Sequence, residues 1–567
     1  MDNIRLAELL FPNIKETPAD MEAKYPKRIL AEGAKVTRFA PSPTGFVHFG
    51  GLFPVTVCER LAHLSGGVFY LRIEDTDAKR EVAGAAEALI KVLAHYGINF
   101  DEGAVLDENG KIADKGIYGP YKQSMRGDIY RVFAKDLVKR GLAYPCFTTA
   151  DELDELNAQD KKAEIAEKKA WDENEWLAQA EARRQQKLKE RAITIEEVEE
   201  HLKNGDAFIL RILANGDPEK KTKFTDLVKG ELEIPENDED FVLLKSDGIP
   251  TYHFAHAVDD HLMGTTHVVR GEEWLPSLAK HIQLFNYLGF KLPKYMHISQ
   301  IMRLDENGNK KKLSKRDMGA NLDDYKRLGY DPDCVMEYVI GLLNSNYEEW
   351  HMQNPEKTYR DFPFNIKKMS VSGCLFDFNK LNDVSKNIIS RMDAETVYSR
   401  FLDWCNEFDK DFAAIIKENE SCERAVVSIG RGGKKPRKDY GTWVELREYS
   451  ELFYDGYFKV IDEYPENFDK NDIKSALSKF LESFDAADDQ NVWFEKIKAV
   501  ASSLGYAADM KDFKANPEKY KGSVADISMF IRIAVTGKMN SPDMFTVMQI
   551  LGEKRVRARI SSMIEKL

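Results

Sequence analysis

Two stretches of the sequence combine residue types that suit phosphate chemistry. The first, RFAPSPTGFVHFGG (residues 38–51), places His48 just before Gly50 and Gly51. Helix N-terminal amides attract anions, and glycines let a phosphate approach the backbone closely. Alone, this stretch would also fit a tight turn around a buried histidine. The second, DENGNKKKLSKRD (residues 305–317), surrounds one serine with lysines, as suits an arm that closes over a polyphosphate. The second stretch therefore favours the interpretation that the first stretch binds phosphate.

The elements around the first stretch follow the order strand, loop, helix, strand. KVTRFAPSPTG indicates a strand and loop, and GLFPVTVCERLAHLSGG indicates a helix with Pro54 in its first turn. VFYLRIEDTD alternates like a second strand. These elements form a βαβ unit, in which ligands bind beyond the carboxyl ends of the strands. Four side chains are expected near that edge: Arg38, Ala40, Ser42 and Glu74.

Length and composition define the class of protein. A chain of 567 residues predicts at least three folding units. No run approaches the roughly 18 apolar residues of a membrane span, and the N-terminus lacks the pattern of a secretory signal. The six cysteines are far apart and form no CxxC pair, so neither a disulfide framework nor a zinc knuckle is predicted. We expect a water-soluble protein of the reducing cytoplasm, without a membrane partner.

The net charge of −13 argues mildly against a nucleic-acid partner. Three basic clusters nevertheless interrupt the acidic chain, at residues 310–316, 431–438 and 552–560. Each is either a solvated surface or a patch that tracks a phosphate backbone. The sequence leaves both interpretations open.

The pattern changes twice along the chain. From about Tyr144 to Gly205 the sequence is polar almost all round and helical in propensity, which indicates an inserted segment. Strand and loop patterns follow, and helical patterns dominate from about Tyr325 to the end. In SPDMFTVMQILG, Ser541 is the predicted helix cap and Gly552 the predicted stop.

Further motifs resemble one enzyme family. RFAPSPTGFVHFGG and KLSKR resemble the HIGH-type and KMSKS-type signatures of class I aminoacyl-tRNA synthetases. In the order of the family, LRIEDTD, TYHFAHAVDDHLMG and VVRGEEWL resemble motifs of bacterial-type glutamyl-tRNA synthetases. The resemblance covers about residues 35–383 and returns in RIAVTGKMNSPDMF and LGEKRVRARI near the end.

The resemblance implies an α/β multidomain fold. It comprises a Rossmann-type catalytic domain with an inserted acceptor-binding domain, followed by an all-α anticodon-binding region. The implied boundaries are an N-terminal extension at 1–35, the catalytic domain at 36–115 and 252–310, the inserted domain at 116–251, a stem-contact domain with the KMSKS-type loop at 311–390, and a helical anticodon-binding domain at 391–567.

The implied reaction joins L-glutamate to tRNA(Glu) through glutamyl-adenylate, with ATP as a substrate and AMP and pyrophosphate as products. Glutamate needs cations for its carboxylates and an acid for its ammonium group, and arginine suits bidentate pairing with a carboxylate. Position 256 carries His where the family more often has Asn, so bonding there is expected to differ. The implied glutamate-binding residues are Arg38, Ala40, Ser42, Glu74, Tyr252, His256, Arg270 and Trp274.

The resemblance also implies a nucleotide site. Magnesium is expected on the polyphosphate. Some relatives carry zinc in the inserted domain, but YPCFTTADEL offers only Cys146, so no zinc is predicted. The implied catalytic residues are His48, Gly50, Gly51, Lys312 and Lys315. The implied ATP-binding residues are His48, Gly51, Glu273, Met302, Ser314 and Lys315.

Several alternatives remain at this stage. A glutaminyl-tRNA synthetase would have PEPNG...HIGHA in its first motif, and a short tRNA-base-modifying relative would lack the long C-terminal part. A catalytically silent paralogue that only binds tRNA is a third alternative. Within the favoured family, an enzyme that also charges tRNA(Gln) is the runner-up, and a monomer is expected.

Overall fold

A strand, a helix and a second strand lie where the first motif predicts them. β1 (Val36–Phe39) and β2 (Val68–Leu71) pair in parallel, with Arg38 opposite Tyr70. The helix Leu52–His63 connects them and carries Pro54 in its first turn, where a proline replaces no needed hydrogen bond. The predicted βαβ unit is therefore confirmed. The structure is a computed structural model that describes residues 2–45, 47–77, 80–148, 188–313 and 321–567.

The sheet continues from β2. β3 (Glu102–Leu106) adds in parallel to β2, and β4 (Ile112–Lys115) adds antiparallel to β3. The helix Ala85–His95 precedes β3. The loops that follow β1 and β2 consequently leave the sheet at the same edge, as the parallel pairing requires.

The segment that interrupts the catalytic body carries its own small sheets. β5 (Ala143–Cys146) pairs antiparallel with β6 (Ile209–Ile212). β7 (Lys221–Asp226) and β8 (Gly230–Pro235) form a hairpin. β9 (Val242–Leu244) returns to the free side of β6. The polar helical segment predicted from about Tyr144 begins instead with the strand β5, whose residues pair with β6, and its described end is the helix Ile195–Asn204. Residues 149–187 lie outside the described ranges.

The second half of the catalytic body adds two more parallel strands. The helix Tyr252–Leu262 leads to β10 (His267–Gly271), which pairs in parallel with β11 (Lys294–Ile298). The backbone amide of Thr266 donates to the carbonyl of Val36, so β10 begins beside β1. β12 (Ile301–Leu304), β13 (Lys310–Lys312) and β14 (Cys374–Leu375) form a separate sheet.

The chain divides into two compact units. The first contains Met1–Asp323 and Val339–Phe376, and the second contains Asp324–Tyr338 and Asp377–Leu567. In the described residues no helix is both long enough and apolar enough to cross a membrane. The remaining helices of the first unit are Asn3–Leu10, Pro18–Lys24, Gly127–Lys139, Leu278–Leu288 and Tyr347–Gln353. Two helices, Leu322–Arg327 and Pro332–Leu343, contain residues of both units.

The second unit is helical in all its described regular elements. Its apolar core is built from the inward faces of these helices, including Phe401, Leu477 and Phe530, which are fully buried. The mixed α/β fold followed by an all-helical C-terminal part agrees with the predicted fold class. The helices are Phe378–Arg391, Ala394–Phe408, Lys410–Glu418, Glu420–Ser428, Trp443–Ser450, Lys470–Ser483, Gln490–Ser503, Met510–Ala515, Val524–Thr536 and Met544–Lys566.

The N-terminal extension belongs to the first unit and packs against its sheet and helices. The guanidinium of Arg28 donates to both carboxylate oxygens of Glu102, at 2.9 and 2.8 Å, and lies over the ring of Tyr118 at 4.0 Å. The Nζ of Lys135 donates to the carbonyls of Phe11 and Ile14. These contacts assign the extension a structural position, a point on which the sequence was silent.

Candidate active site

A cavity of about 970 Å³ lies beyond the carboxyl ends of β1, β2 and β10. The loops after β1 and β2 supply one wall, and β10 with the start of the helix Tyr252–Leu262 supplies the other. Seven of the eight predicted glutamate-binding residues line this cavity: Arg38, Ala40, Ser42, Glu74, Tyr252, Arg270 and Trp274. The eighth, His256, lies one turn beyond Tyr252 on the same helix and is fully buried.

A network of buried ion pairs supports the first wall. The Nε of Arg38 lies 3.1 Å from both carboxylate oxygens of Asp260. Arg72 donates to Asp260 at 2.7 Å and to Glu74 at 2.9 Å, and its Nε lies 3.8 Å from Asp259. Each of these side chains is at most 7% exposed. Ion pairs in such a setting fix side-chain orientation, because an unpaired buried charge is costly.

The pKa values of two acids in this network, Asp260 and Glu74, are shifted in opposite directions. Burial opposes the ionisation of Asp260, but Arg38 and Arg72 hold the pKa of that carboxyl well below its usual range. Burial raises the pKa of Glu74, although Arg72 acts against the rise. Asp260 is therefore a fixed anion, whereas Glu74 is the acid of this pair that takes up a proton more readily.

Arg270 is held by histidines. Its Nε donates to Nε2 of His297 at 2.9 Å, and its Nη1 donates to Nδ1 of His281 at 2.9 Å. Its Nη2 lies 3.5 Å from the carbonyl of Trp274. Burial lowers the pKa of His281 well below its usual value and lowers that of His297 as well. Among the described residues, Arg270 forms no ion pair with a carboxylate, so its charge faces the cavity uncompensated.

Aromatic rings close the second wall. The rings of Tyr252 and Trp274 lie 4.4 Å apart between centroids. Beneath them, His256 lies parallel to Tyr252 at 5.7 Å, with its Nε2 2.9 Å from the hydroxyl of Tyr295 and its Nδ1 2.9 Å from Asp260. Burial lowers the pKa of His256 to about 4, so its ring is neutral at physiological pH. In this structure His256 supports the floor and does not line the cavity.

A second cavity, of about 690 Å³, adjoins the first and shares Pro54, Gly271 and Glu273 with it. Five predicted nucleotide-site residues line it: His48, Gly50, Gly51, Glu273 and Lys312. The ring Nδ1 of His48 accepts the amide of Gly50 at 2.8 Å and caps the short helix Phe49–Gly51. This bond leaves the ring hydrogen on Nε2. The helix-starting amides and the lysine form the kind of edge that binds phosphate.

The remaining nucleotide-site predictions fall at the rim or outside the described ranges. Met302 pairs with Lys312 in the ladder of β12 and β13, and its neighbour Ile301 is the residue that lines the cavity. Ser314 and Lys315 lie outside the described residues. Across the described ranges, no three His, Cys, Asp or Glu side chains converge as metal ligands.

Several residues that build the site were absent from the sequence predictions. Asp260 and Arg72 hold the first wall, and His281 and His297 hold Arg270. A signal existed for Asp260, which follows Tyr252 by eight residues and therefore faces the same side of the helix. No comparable local signal marked the two histidines.

In two of the basic clusters, residues 431–438 and 552–560, arginine side chains stabilise the fold by donating hydrogen bonds to backbone carbonyls. Arg431 donates to the carbonyls of Val427, Ile389 and Met392. In the last cluster, Arg555 donates to the carbonyls of Leu551, Phe453 and Ile550, Arg557 to those of Leu481 and Phe484, and Arg559 to that of Val535. The lysines at 434, 435 and 438 are exposed, as are those at 310–312. These lysines and the exposed Lys554 of the last cluster are available for a phosphate backbone.

Family comparisons match both parts of the chain. Residues 35–383 match the catalytic domain of class I tRNA synthetases (E and Q), and residues 437–564 match an anticodon binding domain.

Similar chains match along their whole length. A protein of Acetivibrio thermocellus named glutamate–tRNA ligase is 47% identical over 567 residues, which is 100% of both chains. A protein of the same name from Clostridium perfringens (strain 13 / Type A) is 46% identical, over 98% of this chain and 99% of that one. A solved glutamate tRNA ligase from Elizabethkingia meningosepticum, in complex with its amino acid, matches with a TM-score of 0.69 and 25% identity, covering 94% of this chain and 99% of that one.

Proposed function

This chain belongs to the class I tRNA synthetases of the glutamate and glutamine type and is an ATP-dependent glutamate–tRNA ligase, and we propose that Arg38, Glu74 and Arg270 select its amino acid. In this proposal glutamate occupies the larger cavity, and ATP occupies the adjoining one. The three side chains come from the ends of three different strands, so only the folded sheet brings them together.

The balance of buried charge is the observation that carries this proposal. In the supporting network, the guanidinium groups of Arg38, Arg72 and Arg126 face three carboxylates. Those carboxylates belong to Glu74, Asp259 and Asp260. Arg270 adds one further positive charge without an acidic partner among the described residues. Glutamate carries two carboxylates and one ammonium group, so its net charge of about −1 at neutral pH complements this excess.

The same charge accounts for the exclusion of glutamine. Glutamine has the shape of glutamate, but its neutral amide would leave the buried guanidinium of Arg270 unpaired. Sites built to satisfy a charged or polar group reject an analogue that lacks it by as much as about 10⁴-fold. We assign the side-chain carboxylate of glutamate to Arg270, its ammonium group to Glu74, and its α-carboxylate to the side of Arg38.

The reaction then follows from placement of the two substrates. An α-carboxylate oxygen of glutamate attacks the α-phosphorus of ATP, the bond to the bridging oxygen breaks, and pyrophosphate leaves. A magnesium ion bound to the polyphosphate would offset part of its negative charge. The amides around Gly50 and Gly51, with His48, hold the phosphates, and Lys312 and Lys315 neutralise charge that develops on the phosphoryl oxygens. Glu273, Met302 and Ser314 complete the nucleotide site.

The second step transfers glutamate to RNA. A hydroxyl of the terminal adenosine of tRNA(Glu) attacks the carbonyl carbon of glutamyl-adenylate and loses its proton, and AMP leaves. We propose that residues 116–251 contact the acceptor end and that the helical C-terminal region reads the anticodon, where exposed bases permit sequence recognition. The enzyme acts in the cytoplasm as a monomer in this proposal, and charging purified tRNA(Glu) and tRNA(Gln) separately distinguishes a strict enzyme from one that accepts both.

The test is a tRNA-dependent assay of AMP formation from ATP and glutamate. Arg38→Ala and Arg270→Ala are expected to lower kcat/KM for glutamate on the order of 10³-fold, since each removes a charged contact made by a buried side chain. Arg140→Ala is the control, because Arg140 is exposed and pairs with Asp136 at the protein surface. Wild-type rates in either cavity variant would refute the assignment of the site.

A further inference from the structure

Asp226 is a buried acid at the end of β7, outside the cavity. It is 1% exposed, and its Oδ1 accepts the backbone amides of Val228 and Lys229 at 2.9 and 2.8 Å. Its Oδ2 accepts the backbone amide and the ring Nδ1 of His297, at 3.1 and 2.7 Å. The carboxylate therefore closes the turn of the β7–β8 hairpin with one oxygen and binds His297 with the other.

The next bond in this chain fixes the proton of His297. A guanidinium group can only donate hydrogen bonds, so Nε2 of His297 must accept from Nε of Arg270. The ring hydrogen consequently sits on Nδ1, where Asp226 accepts it. Asp226 thus selects the single tautomer of neutral His297 that can hold Arg270.

His281 and His253 make the equivalent arrangement on the other side of Arg270. Nδ1 of His281 accepts from Nη1 of Arg270, so its ring hydrogen lies on Nε2 and is donated to Nδ1 of His253 at 3.0 Å. With the long contact to the Trp274 carbonyl, these bonds occupy three of the five N–H groups of Arg270. The side chain of Tyr252 also hydrogen-bonds the guanidinium. The five-donor guanidinium of Arg270 lines the cavity and can share its remaining N–H capacity with a substrate carboxylate.

We propose that Asp226 and His297 are positioning residues for glutamate recognition, which orient the guanidinium of Arg270 toward the substrate carboxylate without adding a competing negative charge to the cavity. A neutral imidazole can hold Arg270 in place and leave its charge uncompensated, whereas a carboxylate in the same position would neutralise it. This inference rests on the proposed role of Arg270 in binding glutamate.

The test separates glutamate binding from ATP binding with paired variants of His297. His297→Leu removes the acceptor, whereas His297→Gln keeps an oxygen near the position of Nε2. We expect His297→Leu to raise the KM for glutamate about tenfold to hundredfold, the effect of losing one hydrogen bond to a charged group. His297→Gln is expected to stay near the wild-type value, and the KM for ATP is expected to change little in both variants.

Asp226→Asn tests the tautomer. Its amide retains only one oxygen to serve both the turn and His297, so an NH₂ group directed at Nδ1 favours the wrong tautomer and raises the KM for glutamate. Asp240→Asn is a matched control, since Asp240 is a buried acid of the same segment that pairs with Arg191. Nitrogen-15 spectra of histidine-labelled enzyme should assign the hydrogen of His297 to Nδ1 in the wild type and show its redistribution in Asp226→Asn.

Three results would each overturn the inference. The first is an equal effect of His297→Leu and His297→Gln on the KM for glutamate, and the second is a parallel rise in the KM for ATP. The third is a wild-type His297 that carries its hydrogen on Nε2. Arg270→Lys distinguishes this failure from failure of the proposed function. If Arg270→Lys leaves the KM for glutamate unchanged, the role of Arg270 itself is wrong. If His297→Leu does not fold, the Asp226→Asn kinetics and the wild-type spectrum still decide the question.

Discussion

Asp260 accepts Nε of Arg38 through both of its carboxylate oxygens, each 3.1 Å away. The same carboxylate accepts Arg72 at 2.7 Å, so one buried acid holds two buried arginines beneath the amino-acid cavity. Because Asp260 compensates charge on this wall, the excess charge of the cavity is concentrated on Arg270. The two arginines of the proposed site therefore have different electrostatic roles.

Replacement of Asp260 should destabilise the protein strongly. Asp260→Asn leaves two buried guanidinium groups short of one anion, and breaking a buried pair from one side costs about 3–5 kcal/mol. Because the pKa of Asp260 is depressed in the folded protein, its stabilisation is complete above its unfolded pKa of about 3.9 and disappears only in stronger acid. Urea unfolding at pH 7 measures the loss, with Asp136→Asn as control, because Asp136 is only half-buried and forms its ion pair with the exposed Arg140. A loss below about 1 kcal/mol would contradict the account.

The affinity for glutamate should depend on the protonation of Glu74. Burial raises the pKa of Glu74, and only its ionised form binds an ammonium group. The KM for glutamate is therefore expected to rise as the pH falls, and to begin rising at a pH above the usual carboxyl value of about 4.3. The KM for ATP should change less.

Glu74→Gln is the control for this pH profile. It should show a high KM for glutamate that no longer varies with pH. The histidines near Arg270 should not contribute, because burial lowers the pKa of His253 to about 4 and that of His281 well below its usual value. An unchanged pH dependence in Glu74→Gln would assign the titration to another group.

Two neighbouring glycines should respond differently to an added methyl group. A Cβ at Gly51 would lie 3.6 Å from Val47 Cγ1, an ordinary contact, whereas a Cβ at Gly50 would lie 2.8 Å from Nδ1 of His48. Gly51→Ala should thus keep stability within about 0.5 kcal/mol while raising the KM for ATP on the order of tenfold, because the methyl group occupies the approach of the phosphates. Gly50→Ala should lower both stability and ATP binding. Thermal unfolding and ATP titrations of the two variants make the comparison, and an unaltered KM for ATP in Gly51→Ala would remove Gly51 from the nucleotide site.

Lys315 should act mainly on the rate. Its charge is proposed to meet the phosphoryl oxygens as negative charge develops, so Lys315→Ala should lower kcat on the order of 10²–10³-fold and leave the KM for glutamate unchanged. Lys310→Ala is a matched control, since Lys310 is exposed and does not line either cavity. Steady-state kinetics provide the measurement, and equal rates for the two variants would be inconsistent with a role in catalysis.

The sequence predicted those parts of the site that depend on strand ends. Arg38 and Glu74 stand at or just after the carboxyl ends of β1 and β2, and parallel strands direct such residues to one edge. Arg270, in β10, was implied only by the resemblance to the family. The βαβ unit, the α/β body and the helical C-terminal region followed from local patterns for the same reason. Local periodicity in the sequence predicts where helices and strands lie, and the parallel pairing of the strands then brings their carboxyl ends to one edge of the sheet.

Side-chain contacts between residues that are far apart in the sequence could not be predicted from it. Asp226 and His297 are 71 residues apart, and no periodicity relates them. Arg431 and Arg555 belong to basic clusters that the sequence left open as solvated surface or phosphate-binding patch, and the structure directs both to backbone carbonyls. Near the C-terminus, Ser541 was the predicted cap, but Asp543 caps the helix because its side chain accepts the amide of Thr546.

The stop predicted at Gly552 is confirmed in part. That glycine has a φ of 74°, a left-handed value that favours glycine, and breaks the helical geometry inside Met544–Lys566. The chain then resumes a helix beyond it. A glycine in the sequence marks where a helix is interrupted, but the packing of the following residues decides whether a new helix begins.

The most direct test of the central claim is a crystal structure with a non-hydrolysable analogue of glutamyl-adenylate. The account predicts that the side-chain carboxylate lies within hydrogen-bond distance of the guanidinium of Arg270, the ammonium group beside Glu74, and the phosphate against the amides of Gly50 and Gly51. A ligand whose side-chain carboxylate lies away from the guanidinium of Arg270 would contradict it.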